Sequence, residues 1–306
     1  MKVMALGGEG YIGSASVKDL RVNDIDVYTV DIKDTADIVL DLKDKVGFSR
    51  YLEEINPDYV INFAASIGGI RYFHKYPADL LVENESILCS VFSTLVDNPI
   101  PIIQLSSSMV FESVDTFPSK EEDVYKVPAP LSSYGFQKLM SEVFATSFQM
   151  QYGIPYIIIR PFNAIGPGEW PNDDAHVVPE FIQRSLKHER PFKMMGKGNQ
   201  IRCFTNVKDI AKGIRLALLS NKWNTDYNIA TTEVISMIDL AVATWNLCGN
   251  DIKDFKPLYL PSLKWDVQKR IPDTTKARQV LGFAPEYSLK DSLIEVIEWM
   301  REKWNK

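Results

Sequence analysis

The stretch KVMALGGEGYIG, residues 2–13, decides the fold. A short apolar run is followed directly by glycines and then by a helical pattern. Glycine is needed where a chain turns tightly after a strand and where backbone approaches a pyrophosphate, and a helix N-terminus offers free N–H groups to phosphate. The stretch therefore predicts a strand, a dinucleotide-binding turn and a helix, a glycine-rich turn without a ligand being the alternative. The residues predicted to contact the dinucleotide here are Gly7, Gly10, Tyr11 and Ile12.

A carboxylate ends the second predicted strand. Asp31 lies 18 residues beyond Gly13. A carboxylate at this position accepts hydrogen bonds from the adenosine ribose hydroxyls and repels a 2′-phosphate, which favours NAD over NADP. The nearby Lys33 keeps NADP open as an alternative. Asp41 and Leu42 are predicted to lie beside the adenine, an exposed loop acid being the alternative for Asp41.

Apolar runs alternate with helical patterns through the first half of the chain. The runs lack in–out alternation, which is typical of parallel strands covered on both faces. The sequence thus predicts an α/β fold, a Rossmann-type doubly wound parallel sheet with a smaller C-terminal α+β substrate-binding cap. The predicted strands are Lys2–Leu6, Asp26–Val30, Tyr59–Ala64, Ile102–Ser106 and Tyr156–Arg160, and the predicted helices lie near Tyr11–Arg21, Gly47–Ile55, Pro77–Val96 and Tyr134–Tyr152.

The alternation weakens after about residue 164, where a second domain is expected to begin. We assign residues 1–164, with about 203–231, to an NAD-binding domain, and residues 165–202 and 232–306 to a substrate-binding domain. Cys203–Ala217 and Tyr227–Ala230 are expected to return to the main sheet. Leu289–Trp304 has apolar residues at helical spacing and predicts an amphipathic helix.

Composition excludes several classes of protein. The 306 residues include 34 Lys and Arg and 40 Asp and Glu, for a formal net charge of −6, so no nucleic-acid partner is expected. With no apolar run of about 18 residues and no signal-peptide core, no membrane partner is expected and a cytoplasmic location is predicted. The separated Cys89, Cys203 and Cys248 favour free thiols in a reducing compartment. His74 and His188 have no second ligand at metal spacing, so no metal site is predicted.

A serine, a tyrosine and a lysine form the candidate catalytic set. Ser107 follows the fourth predicted strand, and Tyr134 and Lys138 are one helical turn apart. Free tyrosine has a pKa of about 10 and is a poor base at neutral pH unless cations favour the phenolate. Lys138 supplies one such charge, while Ser107 can hold the substrate oxygen as the phenolate removes its proton. Each part alone is also explained by helix packing or a turn, but all three lie where a parallel sheet places its active edge.

These features together resemble the extended short-chain dehydrogenase/reductase family, and specifically its NAD-dependent nucleoside-diphosphate-sugar epimerases and dehydratases. The likeness covers nearly the whole chain. It rests on the glycine stretch, Asp31, NFAA at 62–65, SSMVF at 107–111, Tyr134 and Lys138, RPFN at 160–163, GPG at 166–168, GKGNQIR at 196–202, and Arg270 with Asp273.

The resemblance implies a reaction and further site residues. Tyr134 would remove the proton of a sugar hydroxyl, usually at C4, while hydride passes to NAD and later returns to the opposite face of a 4-keto intermediate. The second domain is then expected to bind a nucleoside-diphosphate sugar, with two arginines on the diphosphate. The implied cofactor-binding residues are Phe63, Ala64, Ala65, Asn84, Tyr134, Lys138, Pro161 and Phe162, and the implied substrate-binding residues are Ser108, Asn163, His176, Val177, Arg202 and Arg270.

C4 epimerisation is the favoured reaction because it needs nothing beyond this set. A 4,6-dehydratase has Asp-Glu directly after the catalytic hydroxyl residue, where this chain has Ser108 and Met109. A second likeness, of residues 67–70, 76–79 and 176–179, is to GDP-fucose synthase and GDP-mannose 3,5-epimerase. It keeps a 4-keto-sugar epimerase or reductase as the alternative, with His176 either an acid or a contact for diphosphate or water. A non-catalytic nucleotide-binding relative is a third possibility.

Two further expectations concern surfaces. The helices predicted near Pro77–Val96 and Tyr134–Tyr152 are more apolar than one buried face needs, and the resemblance suggests a homodimer through a four-helix interface, packing on their own sheet being the alternative. Residues 169–175 and the region of Trp265 are expected to surround the sugar.

Overall fold

The computed structural model describes residues 1–172 and 174–304. The strands are β1 (Lys2–Leu6), β2 (Asp26–Asp31), β3 (Ile38–Val39), β4 (Tyr59–Asn62), β5 (Ile102–Leu105), β6 (Tyr156–Pro161), β7 (Ala164–Ile165), β8 (Phe192–Met195), β9 (Ile201–Cys203), β10 (Thr205–Asn206), β11 (Thr225–Ile229), β12 (Val234–Ser236) and β13 (Pro257–Leu260). The α-helices are α1 (Tyr11–Val22), α2 (Lys45–Ile55), α3 (Ile70–Lys75), α4 (Pro77–Leu95), α5 (Ser133–Tyr152), α6 (Val177–Leu186), α7 (Val207–Leu219), α8 (Met237–Leu247), α9 (Thr275–Leu281) and α10 (Leu289–Trp304).

Seven parallel strands form the main sheet, in the order β11-β6-β5-β4-β1-β2-β3. The strand order reverses direction between β1 and β4, and ligands bind at such a switch point outside the carboxyl ends of the strands. Residues Val3–Leu6 of β1 and all of β5 are buried without alternation, because both faces of the sheet are covered. The predicted Rossmann-type α/β fold is confirmed.

Helices cover the two faces of this sheet with separate apolar cores. On one face α1, α7 and α9 contribute Val17, Ile210 and Leu281 to a core that includes Ile61 of β4. On the other face α2, α4 and α5 pack against β1, β4 and β6. The three-layer arrangement fixes the carboxyl ends of the strands, and so the loops that follow them, at one edge.

The C-terminal cap contains two-stranded pairs and its own core. β8 pairs with β13 in parallel and β9 pairs with β12 antiparallel, and α6, α8 and α10 pack together. Ile182, Trp245 and Ile297 are buried at their common centre. The predicted smaller α+β cap is therefore present, and the predicted helix Leu289–Trp304 has the bounds of α10.

The predicted strands and helices of the first half are confirmed, with ends that differ by one or two residues. Cys203–Ala217 was expected in the main sheet, and this is wrong for its strand residues: β9 and β10 pair with β12 and β7. Its helical part, α7, does return to the main sheet and packs on α1, and β11 adds to the edge of β6. Short strands such as β10 have too few residues for periodicity to identify a partner. No helix within residues 1–172 and 174–304 has the length and apolar character needed to cross a bilayer.

Candidate active site

The turn between β1 and α1, residues 7–13, forms a cradle whose positions 7 and 13 accept only glycine. Gly7 has φ +71°, and a Cβ there would lie 2.6 Å from the Ala64 nitrogen. A Cβ on Gly13 would lie 2.3 Å from the Gly7 carbonyl oxygen. Main chain therefore lies open at the N-terminus of α1, where helix N–H groups favour phosphate. The cradle fits the pyrophosphate of a dinucleotide.

The carboxyl end of β2 borders this cradle. The Asp31 carboxylate accepts hydrogen bonds from the backbone N–H groups of Glu9 (3.0 Å) and Lys33 (3.2 Å). Beyond β3, Leu42 is buried, and Asp41 is 3.5 Å from the Lys43 ammonium. These side chains lie where the adenosine of a dinucleotide starting at the glycine turn is expected.

Ser107 and Tyr134 meet at the carboxyl edge of β5. The Ser132 hydroxyl accepts from the Gly135 N–H at 3.0 Å and begins α5, and the Glu112 carboxylate accepts from the Ser132 N–H at 3.1 Å. This capping fixes the first turn of α5, on which Tyr134 is hydrogen-bonded to Ser107. The Lys138 ammonium, one turn later, is 5.9 Å from the centre of the Tyr134 ring. The three predicted catalytic side chains are thus brought together.

The charges around Tyr134 differ from the sequence expectation. Burial raises the pKa of Tyr134, and the hydrogen bond with Ser107 and the positive charge of Arg270 lower that pKa only in part. Burial also lowers the pKa of Lys138 to about 8. Lys138 is 5% exposed and donates to the Leu105 carbonyl oxygen at 3.4 Å. Lys138 alone is therefore not sufficient to make Tyr134 anionic. A second cation, Arg270, which the sequence analysis assigned to the diphosphate, also acts on the Tyr134 hydroxyl.

One cavity of about 780 Å³ connects the cradle to the C-terminal cap. Its wall holds nearly all of the predicted site residues. Those in the wall are Gly7, Gly10, Tyr11, Ile12, Asp31, Asp41, Leu42, Phe63, Ala64, Ala65, Ser107, Ser108, Tyr134, Lys138, Pro161, Asn163, His176, Val177, Arg202 and Arg270.

Two predicted cofactor contacts are placed behind this wall. Asn84 is 2% exposed, and its side chain binds the backbone N–H and carbonyl of Ser66 at 2.6 and 3.0 Å. Phe162 is 1% exposed and packs in a core with Phe111. Asn84 therefore holds the loop after β4, and Phe162 is a core residue next to Pro161 in the chain. The motif likeness could not show which way these side chains point.

Two arginines lie close together at the cap end of the cavity. Arg202 donates to the Asp266 carboxylate at 3.1 Å, and Arg270 donates to the Asn163 side-chain oxygen at 3.3 Å. Burial and the neighbouring Arg270 lower the pKa of Arg202. The buried Arg270 Nε has no hydrogen-bond partner among the described residues. Two guanidinium groups with one carboxylate leave an unbalanced positive charge that suits a diphosphate.

A histidine and a glutamate form a pair on the same wall. His176 Nδ1 is 2.7 Å from a carboxylate oxygen of Glu169, which also accepts from the His176 backbone N–H at 3.0 Å. Burial pushes the pKa of Glu169 upward, but His176 outweighs it and the pKa lies below the usual range. Glu169 and Ala175, at the two ends of the stretch expected to surround the sugar, line the cavity, while Asp173 lies outside the described residues.

The short helix α3 supplies cavity residues that sequence reasoning missed. Phe73 stacks on Tyr134 with ring centres 5.2 Å apart, and Arg71 binds the Glu180 carboxylate at 3.1 Å. His74 contacts the predicted Trp265 region, with ring centres 5.3 Å apart. The helix therefore lies across the cavity between α5 and α6. The aromatic residues after the glycine pair at 68–69 were the available signal. Among residues 1–172 and 174–304, no group of three or more His, Cys, Asp and Glu side chains could hold a metal ion.

The chain is similar over its full length to sugar-nucleotide epimerases. A UDP-glucose 4-epimerase from Lactobacillus helveticus is 26% identical, with 100% of this chain and 97% of the relative covered. GDP-mannose 3,5-epimerase 1 from Oryza sativa subsp. indica is 25% identical, with 100% and 83% covered. The crystal structure of UDP-glucose 4-epimerase from Thermotoga maritima with UDP-glucose is 27% identical, has a TM-score of 0.89, and matches 99% of this chain and 100% of that chain.

A family model also matches most of the sequence. The model describes the NAD dependent epimerase/dehydratase family and matches residues 3–230, which contain the glycine cradle, Asp31 and the Ser107, Tyr134 and Lys138 set. The predicted cofactor, NAD, and the predicted enzymatic character are thereby confirmed, and the non-catalytic alternative falls away. The chain belongs to the NAD-dependent epimerase/dehydratase family.

Proposed function

We propose that this enzyme inverts the C4 carbon of a nucleoside-diphosphate sugar through a transient 4-keto sugar. The observation that supports this proposal is that Ser107, Tyr134 and Lys138 lie close together on the wall of the cavity that begins at the glycine cradle. Ser108 and Met109, which follow Ser107 in that wall, have no proton-transfer group at neutral pH. The set suits reversible oxidation of one hydroxyl and little further chemistry.

The roles follow from the contacts. Bound NAD supplies the hydride acceptor and a positive ring charge. Tyr134 takes the proton of the sugar hydroxyl, and Ser107 holds the reacting oxygen. After the 4-keto sugar has rotated to present its opposite face to the cofactor, Tyr134 returns the proton. The hydrogen bond with Ser107 and the charge of Arg270 lower the pKa of Tyr134 against the effect of burial, and the Lys138 ammonium lies 5.9 Å from the centre of the Tyr134 ring. Phe73, stacked on the Tyr134 ring, keeps water from that side.

Binding of the substrate is divided between two parts of the chain. We assign residues 1–164, with about 203–231, to NAD, and residues 165–202 and 232–306 to the sugar nucleotide. The pairing of Arg202 with Arg270 supports this assignment, because two adjacent cations gain most from a diphosphate. Among the implied contacts, Asn163 is already engaged by Arg270 and by the Cys203 carbonyl oxygen, at 2.7 Å. Asn163 would therefore act by positioning Arg270.

The test is product analysis in heavy water. Purified enzyme is incubated in D2O with UDP-glucose, UDP-galactose and their N-acetylated and GDP-linked counterparts, and the products are resolved by chromatography and NMR. C4 inversion by hydride return gives the C4 epimer without solvent deuterium on carbon and without a net change at about 340 nm, where the reduced cofactor absorbs. Deuterium at C3 or C5 of the product would contradict the proposal.

The pair of His176 and Glu169 favours a second candidate, epimerisation beside a 4-ketone with or without net reduction. An imidazole held by a carboxylate in the cavity wall can move a proton at carbon. The same experiment separates the two, since this reaction incorporates solvent deuterium next to the ketone, and net reduction consumes added reduced cofactor. Met109, placed beside Ser107, offers no second proton-transfer group and ranks this candidate below C4 inversion.

We also infer a homodimer in a reducing, cytoplasmic compartment. Val82 and Cys89 on α4, and Val143 and Met150 on α5, form an exposed, mainly apolar strip. Burying such a strip against a second copy would form a four-helix interface. Light scattering should give twice the mass of the chain, and Val143→Glu should give the monomer. A monomeric wild type would contradict the dimer.

A further inference from the structure

Glu112 joins the two short segments that carry Ser107 and Tyr134. A 3₁₀ turn, Ser108–Phe111, follows Ser107, whose side-chain oxygen accepts from the Met109 N–H at 3.2 Å. Glu112 ends this turn, and its own backbone N–H donates to the Met109 carbonyl oxygen at 3.1 Å. The backbone of Glu112 is therefore fixed relative to Ser107.

The side chain of Glu112 holds the other segment, the start of α5. Its carboxylate accepts from the backbone N–H groups of Leu131 at 2.9 Å and Ser132 at 3.1 Å, and from the Ser132 hydroxyl. The Ser132 hydroxyl oxygen in turn accepts from the N–H of Gly135, the residue after Tyr134. Hydrogen bonds to a charged group are stronger than neutral ones, so this carboxylate is a firm anchor. A continuous chain of contacts thus runs from the Ser107 turn through Glu112 to the backbone beside Tyr134.

The start of α5 also packs closely on the same turn. A Cβ on Gly135 would lie 2.9 Å from the Met109 carbonyl oxygen and 2.7 Å from the Pro130 Cβ. A shift of α5 relative to the turn would therefore change the position of the Tyr134 hydroxyl relative to Ser107. Glu112 does not line the cavity, so it acts on the reaction through these contacts or through its charge.

We propose that Glu112 is a positioning residue that sets the hydrogen bond between Ser107 and Tyr134. The inference rests on the proposed role of Tyr134 as proton acceptor. A purely electrostatic role is the alternative to be separated by experiment. Burial lowers the pKa of Arg270, and the charge of Glu112 is one of those that oppose this effect.

The experiment compares Glu112→Ala and Glu112→Gln in the NAD-loaded enzyme, with UDP-galactose as the substrate. Glu112→Ala removes the anchor, and because a misplacement of about 1 Å can cost about 10²-fold, kcat should fall about 10- to 10²-fold while KM stays within about threefold. Glu112→Gln keeps an acceptor oxygen for Leu131 and Ser132 without the charge. It should restore kcat to within about fivefold of wild type, the difference between a charged and a neutral hydrogen bond.

Carbon-13 NMR of the tyrosine Cζ atoms, assigned with Tyr134→Phe, gives a second readout. Burial raises the pKa of Tyr134, and the Ser107 hydrogen bond and the Arg270 charge lower it in part. Loss of that hydrogen bond in Glu112→Ala should therefore raise the pKa of Tyr134 further and move the acidic limb of the kcat profile to higher pH. The titration needs no sugar nucleotide, so it tests the positioning role even if C4 inversion is not the reaction.

Ser288→Ala is the matched control, because Ser288 caps the start of α10 by accepting from the Asp291 N–H at 3.1 Å and does not line the cavity. It should lower thermal stability as the loss of a cap does, and leave kcat and the titration of Tyr134 unchanged. An unchanged titration of Tyr134 in Glu112→Ala, or a loss of kcat as large in Glu112→Gln as in Glu112→Ala, overturns the inference. Full turnover by Tyr134→Phe would instead contradict the proposed function.

Discussion

Lys138 and Arg160 are both buried cations, and their surroundings are opposite. Arg160 on β6 is 0% exposed and binds Glu142 at 2.7 Å and Asp226 at 2.8 Å. Burial lowers the pKa of Arg160, but these two carboxylates outweigh it and raise the pKa. Lys138, one turn before Glu142 on α5, has a carbonyl oxygen at 3.4 Å, and burial lowers its pKa.

This difference in surroundings indicates that Arg160 serves the stability of the fold and that Lys138 serves the chemistry of the site. A buried charge without a carboxylate costs free energy, so a protein retains one where the charge has a task. The Arg160 cluster, formed by Arg160, Glu142, Asp226 and Lys276, joins α5, β6, β11 and α9. The catalytic edge, formed by Ser107, Tyr134 and Lys138, lies on the cavity. Single substitutions can change either region without changing the other.

The largest effect is expected at the catalytic edge. Tyr134→Phe should lower turnover by about 10²–10⁴, because the proton acceptor is lost. Bound NAD and the free energy of unfolding should stay near wild type, since the ring keeps its stack on Phe73. Tyr152→Phe, at the exposed end of the same helix, is the control. Full turnover by Tyr134→Phe would show that Tyr134 is not the proton acceptor. The catalytic edge would then not differ in function from the Arg160 cluster.

The Arg160 cluster should show the largest loss of stability. Glu142→Gln leaves Arg160 with a reduced countercharge and weakens the contact of Glu142 with Ser106. Breaking a buried pair by one partner costs about 3–5 kcal/mol, which urea unfolding would measure. Glu122→Gln, in an exposed pair with Lys126, should cost less than about 1 kcal/mol. Equal losses of unfolding free energy in the two variants would show that burial does not determine how much an ion pair contributes to stability.

The pH dependence of stability should reveal the uncompensated charge of Lys138. Its folded pKa of about 8 lies below the unfolded value of about 10.4. Below pH 8 both states are protonated and the burial penalty is complete; between these values only the unfolded chain holds the proton, so stability rises with pH. Relative to Lys138→Met, wild type should gain about 2–3 kcal/mol between pH 8 and pH 10.4. If the unfolding free energies of wild type and Lys138→Met changed equally across this pH range, burial would not destabilise the charged form of Lys138.

The cofactor half of the site could be predicted because its pattern is local. The glycine turn and Asp31 belong to the continuous β1–α1–β2 unit, and Tyr134 and Lys138 lie one turn apart on α5, so each pattern lies within a short stretch of sequence. The fold followed for the same reason, since buried parallel strands show continuous apolar runs.

The substrate half depends on contacts between distant segments. Arg71 with Glu180, Arg202 with Asp266, and the nearness of Arg270 to Tyr134 join segments that are far apart in the sequence. No periodicity marks such partners. Motif likeness predicted Asn84 as a cofactor contact, whereas its side chain binds the backbone of Ser66 behind the cavity wall.

The smallest effect is expected at the outer end of the Arg160 cluster. Lys276 lies 2.6 Å from Asp226 but is 36% exposed. Burial pushes the pKa of Asp226 upward, and Arg160 and Lys276 outweigh it to bring the pKa below normal. Lys276→Met keeps the apolar stem over the Tyr227 ring and leaves Arg160 paired with Asp226, so the cost should be below about 1 kcal/mol and should fall with added salt. A loss of unfolding free energy as large as that of Glu142→Gln would mean that the Arg160 cluster acts as one cooperative unit. The exposed fraction of a side chain would then not determine how much it contributes to stability.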